Sequence, residues 1–355
     1  MPECSRASAK RRGHRLGNPL LTLAFLAITF SNSLLLQATG AAFLLPTNNR
    51  ELFSTGREPA FFAPTPGRTW TAGQFGCVRS EGTQLHEGID ILSVKKDRRG
   101  EPLDDVRAAA DGEVAYLSRR PALSNYGNYL VLRHRIDGIQ VFTLYAHLRD
   151  IQSNLAPGSD VRAGSVLGTL GRTTNTRTPI TKDRAHVHFE IDLLVNEGFS
   201  SWLKKNDPTA RDDHGPWNGR NLIGLDPAEI FHLQKQKGSE FSLLDYLRKR
   251  PEMCRILVAH TSFPWLKRYP ALILRNPVAE RQGIVAYELS LDFNGVPFRL
   301  VPRSRSEIKG PVSTRLLDVS EAEYREHPCR KLVFKRGQTW VLTARGREWI
   351  ELLTH

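Results

Sequence analysis

Between residues 106 and 192 the chain breaks into short apolar runs, stopped again and again by glycine, proline or asparagine turns. "VRAAADGEVAYL" (106–117), "YLVLRHR" (129–135), "QVFTLYAHL" (140–148) and "AHVHFEID" (185–192) alternate or run apolar. Several short runs at this spacing predict strands of an all-β sandwich or barrel. Among them, Gly158, Val161, Gly164, Leu167 and Gly168 form a G-x-x-V-x-x-G-x-x-L-G pattern. Glycines so placed permit tight turns and close strand approach. The fold expected is mainly β: a small glycine-rich antiparallel sandwich or barrel over residues 70–235, with a loop-rich extension from about 196.

The flanks differ. Residues 41–69 hold Pro46, Pro59, Pro64 and Pro66 among polar residues, and read as a linker or lead-in. Past a polar boundary at 233–239, "EFSLLDYLRKR" (240–250) has helical spacing and stops at Pro251. Strand signals then return at "RILVAH" (255–260), "YPALILR" (269–275), "VAYELSLDF" (285–293), "VPFRLV" (296–301) and "TWVLTA" (339–344). Residues 240–355 therefore read as a C-terminal α+β module.

Residues 1–40 combine a basic stretch through Arg15, the apolar run "LLTLAFLAITF" (20–30) and small residues at "ATGAA" (38–42). That order is the order of a secretory signal, with Ala38-x-Gly40 as the expected cleavage site. The alternative is an uncleaved membrane anchor, since "SNS" (31–33) barely interrupts the apolar run. Either way the chain is expected to be exported to the periplasm, the cell envelope or the medium. The formal net charge of +13 falls to about +9 without that segment and favours anionic partners. No basic–aromatic nucleic-acid motif appears. Cleavage would leave three cysteines, Cys77, Cys254 and Cys329. Pairing of Cys254 with Cys329, leaving Cys77 free, is one arrangement, which sequence alone does not establish. The absence of C-x-x-C argues against a cysteine zinc site.

Three stretches carry candidate chemistry. In "AHVHFEID" strand alternation sends Val187, Phe189 and Ile191 to the core and puts His186, His188 and Glu190 on the opposite face. A lone H-x-H is as compatible with structural histidines as with a metal site. In "LHEGIDIL" (85–92) an extended backbone puts His86, Gly88 and Asp90 on one face, with the glycine leaving room for an ion or marking a turn or bulge. In "LYAHL" (144–148) alternation groups Tyr145 with His147.

The ordered set is more specific than its parts. H-x-x-x-D, "YGN" (126–128), Y-A-H-L, the glycine pattern and H-x-H-F-E follow one another as in the lysostaphin-like, or LytM-type, zinc metallopeptidases, and residues 70–195 resemble that family. The resemblance implies a duplicated-hybrid-motif type β domain with one Zn2+ per chain. It implies zinc ligation by His86, Asp90 and His188, and catalytic roles for His147 and His186. It implies an exported endopeptidase that hydrolyses amide bonds in the stem peptides or cross-links of bacterial peptidoglycan. Glu190 could orient a ligand from outside the coordination sphere, and Asn128 and Tyr145 could line the cleft or serve structure alone. Two stretches depart from the family pattern. "GRTTNTRTPITKDRAHVH" (171–188) is longer than the usual turn before H-x-H, and its cations Arg177, Lys182 and Arg184 are expected to border the substrate groove or face solvent. "KKDRRGEPLDD" (95–105) is an extra charged loop. Because all five chemistry-bearing positions are present, the alternative of a catalytically silent peptidoglycan-binding protein or amidase activator ranks second.

Overall fold

The computed structural model describes residues 42–355. The basic–apolar segment and its expected cleavage site lie outside the described residues. Among those described, no helix is long and apolar enough to cross a membrane.

The alternating runs become strands. In chain order they are β1 (Gly76–Arg79), β2 (Gln84–His86), β3 (Ile89–Leu92), β4 (Asp105–Arg107), β5 (Gly112–Ser118), β6 (Asn128–Ile136), β7 (Ile139–Leu148), β8 (Asp150–Ile151), β9 (Asp160–Val161), β10 (Val166–Thr169), β11 (His186–Leu194) and β12 (Leu222–Leu225). The main sheet runs β12-β11-β7-β6-β5-β9, and β3 pairs with β11 off that path. Every pairing in it is antiparallel. A second sheet is ordered β4-β10-β8. Gly168 shows why the glycine pattern is needed, because a Cβ there would lie 2.2 Å from the Asp150 carbonyl oxygen in the adjacent strand. One hydrophobic cluster holds Ile89, Val106, Val114, Leu130, Leu167, Val187 and Phe189, all fully buried.

β11 is the organising strand, buried along its whole length. β3 pairs with its N-terminal half, from His186 to Phe189, and β12 with its C-terminal half, from Ile191 to Leu194. Val187, Phe189 and Ile191 enter the main core, as alternation requires. The opposite face is also covered, so His188, Glu190 and Asp192 are buried.

Residues 42–69 are packed rather than free chain. Phe43, Leu45, Leu52, Phe61 and Phe62 are buried in the main cluster, and Ala63 N–H donates to the Asp90 carbonyl at 2.8 Å. The C-terminal part contains β13 (Cys254–Val258), β14 (Ala286–Leu291), β15 (Pro297–Arg303) and β16 (Arg315–Val319), ordered β15-β14-β13-β16. The hairpin β17 (Val333–Arg336) and β18 (Thr339–Leu342) follows, then a helix Ala344–Thr354 whose Thr343 side chain caps Gly346 N–H. Its apolar residues join the same hydrophobic cluster as the first sheet, and the described residues belong to one compact unit.

Two local expectations are corrected. "YPALILR" is not a strand. Pro270–Leu272 forms a 3-10 turn, suited to proline's fixed φ and missing N–H, and Ile273 makes only an isolated bridge to Leu300. The disulfide joins Cys77 to Cys329, and Cys254 is the free, buried cysteine. Cys254 sits in β13, inside the core, where its neighbours are strand residues rather than a second thiol.

Candidate metal centre and cleft

β3 and β11 set Asp90 directly opposite His188. His86 ends β2, and the backbone breaks at Glu87 and Gly88 before β3 begins. The break lets Gly88 lie against β11: a Cβ there would be 2.3 Å from the Phe189 carbonyl oxygen and 2.8 Å from Glu190 Cγ. The room that Gly88 provides is for the neighbouring backbone.

The three side chains converge. His86 Nε2 lies 3.0 Å from His188 Nδ1, Asp90 Oδ1 lies 2.8 Å from His188 Nδ1, and His86 Nε2 lies 3.2 Å from Asp90 Oδ1. One ligand atom from each residue falls within 4.8 Å of the others. Donors placed tetrahedrally about 2.0–2.1 Å from a zinc ion would be about 3.3 Å apart, so this set is of the right size. Each donor is also oriented from behind. His86 Nδ1–H donates to the Gln74 carbonyl at 2.7 Å, and His188 Nε2–H donates to Glu190 Oε1 at 2.7 Å. Such contacts fix ring orientation and tautomer in metal sites. Arg79 donates to Asp90 Oδ2 at 2.5 Å and leaves Oδ1 facing the histidines.

The electrostatics favour a cation. Burial opposes charge on His188, but hydrogen bonds and attraction from Asp90 and Glu190 overcome it and push its pKa up to about 10. Burial likewise opposes charge on Asp90, yet His86, His186 and the hydrogen bond to His188 hold its carboxyl well below the usual range. The carboxylates of Asp90 and Glu190 thus favour a positive charge between the rings.

His147 and His186 differ from that pair. His147 Nδ1–H donates to the Thr173 carbonyl at 2.9 Å, and His186 Nδ1–H to the Arg184 carbonyl at 2.7 Å. Each Nε2 is left with its lone pair. Burial lowers the pKa of both rings, and the neighbouring His186 and His188 lower that of His147 further. The two rings are 4.9 Å apart.

His147 reaches the cleft by breaking the strand rule. Its φ is +61°, in the left-handed region. Tyr145 instead enters the main core, where its hydroxyl accepts from Ala109 N–H at 2.8 Å. The expected shared face for Tyr145 and His147 is therefore corrected. The "YGN" stretch holds this distortion. The Tyr126 carbonyl accepts from His147 N–H at 2.8 Å, and the Asn128 side-chain amide donates to the Leu148 and Arg149 carbonyls at 3.2 Å each. Gly127, at φ +64°, passes so close to Thr173 that a Cβ would lie 2.2 Å from its carbonyl oxygen. Neither Asn128 nor Tyr145 lines the cleft.

The cleft over these groups has a volume of about 520 Å³ and is lined by His86, Asp90, His147, His186 and His188. Its rim includes Arg79, Tyr126, Arg184, His214 and Arg220. Of these, the sequence pattern marks Arg184 and, within "YGN", Tyr126. Lys182 pairs with Glu101 at 3.2 Å, as Arg172 does at 3.0 Å, so the two charged insertions are bound to each other. Lys182 accordingly does not line the groove, whereas Arg184 does.

In an antiparallel β domain, two histidines and an aspartate gather around one buried point with two further imidazoles beside it, a candidate metal centre flanked by groups able to carry protons. Residues 84–198 match the model of peptidase family M23. Among solved structures, similarity is found to the catalytic domain of the antimicrobial peptidase lysostaphin from Staphylococcus simulans, with 17% identity, a TM-score of 0.27, and coverage of 49% of this chain and 89% of that one. The catalytic domain of the prophage-encoded M23 protein EnpA from Enterococcus faecalis, an A109H mutant, matches with 16% identity, a TM-score of 0.26, and coverage of 45% and 91%. A zinc-containing peptidase from Vibrio cholerae matches with 23% identity and a TM-score of 0.22, over 42% of this chain and only 32% of that one. No curated protein matches the chain.

Proposed function

We propose that the protein is an exported zinc metalloendopeptidase that hydrolyses amide bonds in the stem peptides or cross-links of bacterial peptidoglycan. The observation that carries this reading is the convergence of His86 Nε2, Asp90 Oδ1 and His188 Nδ1 beside two imidazoles whose Nε2 atoms make no hydrogen bond among the described residues, that of His186 lying 3.6 Å from Asp90 Oδ1. The donor set fits zinc: two nitrogens and one carboxylate oxygen, the third kept single by Arg79. Zinc held there supplies a Lewis acid that polarises the scissile carbonyl and acidifies water.

The rest is done by the protein's own groups. The carbonyls of Thr173 and Arg184 hold His147 and His186 in one tautomer, so each ring presents a basic Nε2. Their lowered pKa keeps them neutral at neutral pH, the state needed to accept a proton from the attacking water. Once protonated, the same ring donates to the departing amine or to the oxyanion. Glu190 and the Gln74 carbonyl hold the ligand rings still during this exchange.

The test is mass analysis of cross-linked peptidoglycan incubated with the zinc-loaded protein and with His188→Ala. Wild type is expected to release fragments with new amino and carboxyl termini, and the variant none. His147→Ala should retain zinc and lose about two to four orders of magnitude in kcat. Identical products from wild type and His188→Ala, or no products from either, refute the reading.

A further inference from the structure

We propose that the cavity between β2 and the C-terminal α+β module is a carboxylate-binding subsite, continuous with the cleft, that takes an acidic group of the substrate peptide. The inference rests on the hydrolase reading above and deepens it. The cavity has a volume of about 590 Å³. It shares Gln84, Leu85, Glu87 and Arg220 with the cleft, so both open on the strand that carries His86. A peptide crossing the metal site can therefore continue into it without leaving the surface.

The chemistry of its walls is cationic and aromatic. Arg220, Arg330, Lys331 and Arg345 face two carboxylates, Glu87 and Glu348. Glu348 is already engaged by Arg220 at 2.6 Å. Arg330 donates through Nε to the Asn294 carbonyl, and among the described residues neither it, Lys331 nor Arg345 forms an ion pair. The two guanidinium groups are held over indole rings, Arg220 over Trp202 and Arg330 over Trp349, each 5.3 Å from the ring centre. Arg220 is already paired with Glu348 and, at 3.2 Å, with Asp207, whereas Arg330, held in this way, loses little freedom on binding an anion, and its planar guanidinium matches a carboxylate. Trp202 is only 2% exposed, lines the cavity, and its Nε1–H has no acceptor among the described residues. The Cys77–Cys329 disulfide ties β1 to the wall that carries Arg330 and Lys331.

The experiment compares hydrolysis of purified cross-linked muropeptide dimers that bear free carboxylates with the same dimers after amidation. The full zinc-loaded chain is used as wild type and as the double variant Lys331→Glu/Arg345→Glu, both side chains being exposed. Wild type is expected to favour the free-carboxylate dimer by about tenfold in kcat/KM, carried by KM, the size of one charge-assisted hydrogen bond. The double variant should bring the two KM values together. Arg330→Gln, with a melting curve as a folding check, should do the same. Equal kcat/KM for both dimers with wild type, or a preference unchanged in the variants, overturns the subsite while leaving the hydrolase reading intact. Cleavage of neither dimer by wild type overturns both.

Discussion

Replacing Gly88 by alanine tests whether ligand placement depends on backbone contact between β3 and β11. The added Cβ would begin 2.3 Å from the Phe189 carbonyl oxygen, against an ordinary contact of 3.4 Å or more. Phe189 and Glu190 cannot swing aside, because both belong to a strand paired on its two edges. The segment carrying Gly88 must therefore retreat by about 1 Å, and it lies between His86 and Asp90. The donor atoms are only 2.8–3.2 Å apart, so a retreat of that size removes one ligand from tetrahedral reach. Zinc affinity is expected to fall by at least the 10- to 100-fold that lost orienting contacts cost, roughly, in known zinc sites. Stability should fall by about 1–3 kcal/mol, the usual cost of overpacking. Chelator competition on the folded variant measures the first, and urea unfolding with excess chelator the second. Zinc binding within twofold of wild type, with unchanged unfolding, would show that the close approach does not place the ligands.

Three other outcomes follow from single contacts. Glu190→Gln keeps an acceptor for His188 Nε2–H but removes the charge behind it, and zinc affinity should fall about tenfold in the same competition assay. Cys329→Ser opens a loop of 252 residues, and the chain-entropy model puts the destabilisation near 5 kcal/mol, read as a lower urea midpoint that reductant reproduces in wild type. Arg172 and Lys182 hold Glu101 down to about 2, below its ordinary 4.5. The contact is thus complete above pH 4.5 and lost as pH falls through about 2. Limited proteolysis with an acid-active protease should cut residues 172–184 faster as pH is lowered through that window, and Glu101→Gln should be cut fast throughout it.

What could be read in advance is what depends on local period. Alternation in "AHVHFEID" places Val187 and Phe189 in the core and His188 and Glu190 opposite, because a strand's faces depend only on its own backbone. The glycine pattern is legible for the same reason: close strand approach at Gly168 excludes a side chain whatever else surrounds it. The Cys77–Cys329 pairing was not, since it depends on where residues 252 apart come to rest. "YPALILR" misled because its apolar content matches a strand, whereas its proline sets the local turn.

His147 marks the limit of period as a guide. Alternation would carry it into the core beside Tyr145, and only a left-handed residue turns it into the cleft. That conformation costs a non-glycine residue about 1 kcal/mol or more. It is maintained by contacts distant in sequence: the Tyr126 carbonyl, the Asn128 amide, and the close passage of Gly127 over Thr173. The "YGN" stretch thus acts on the site through His147, although Asn128 never reaches the cleft. Arg79 was hidden for a similar reason. It lies eleven residues before Asp90, on a hairpin partner of the strand that carries His86, and no pattern in "GCVR" distinguishes it from a solvent-facing arginine. Asp90 and His188, opposite each other on paired strands, obey the strand period. Those that orient them come from wherever the fold brings a carbonyl or a guanidinium within hydrogen-bond reach.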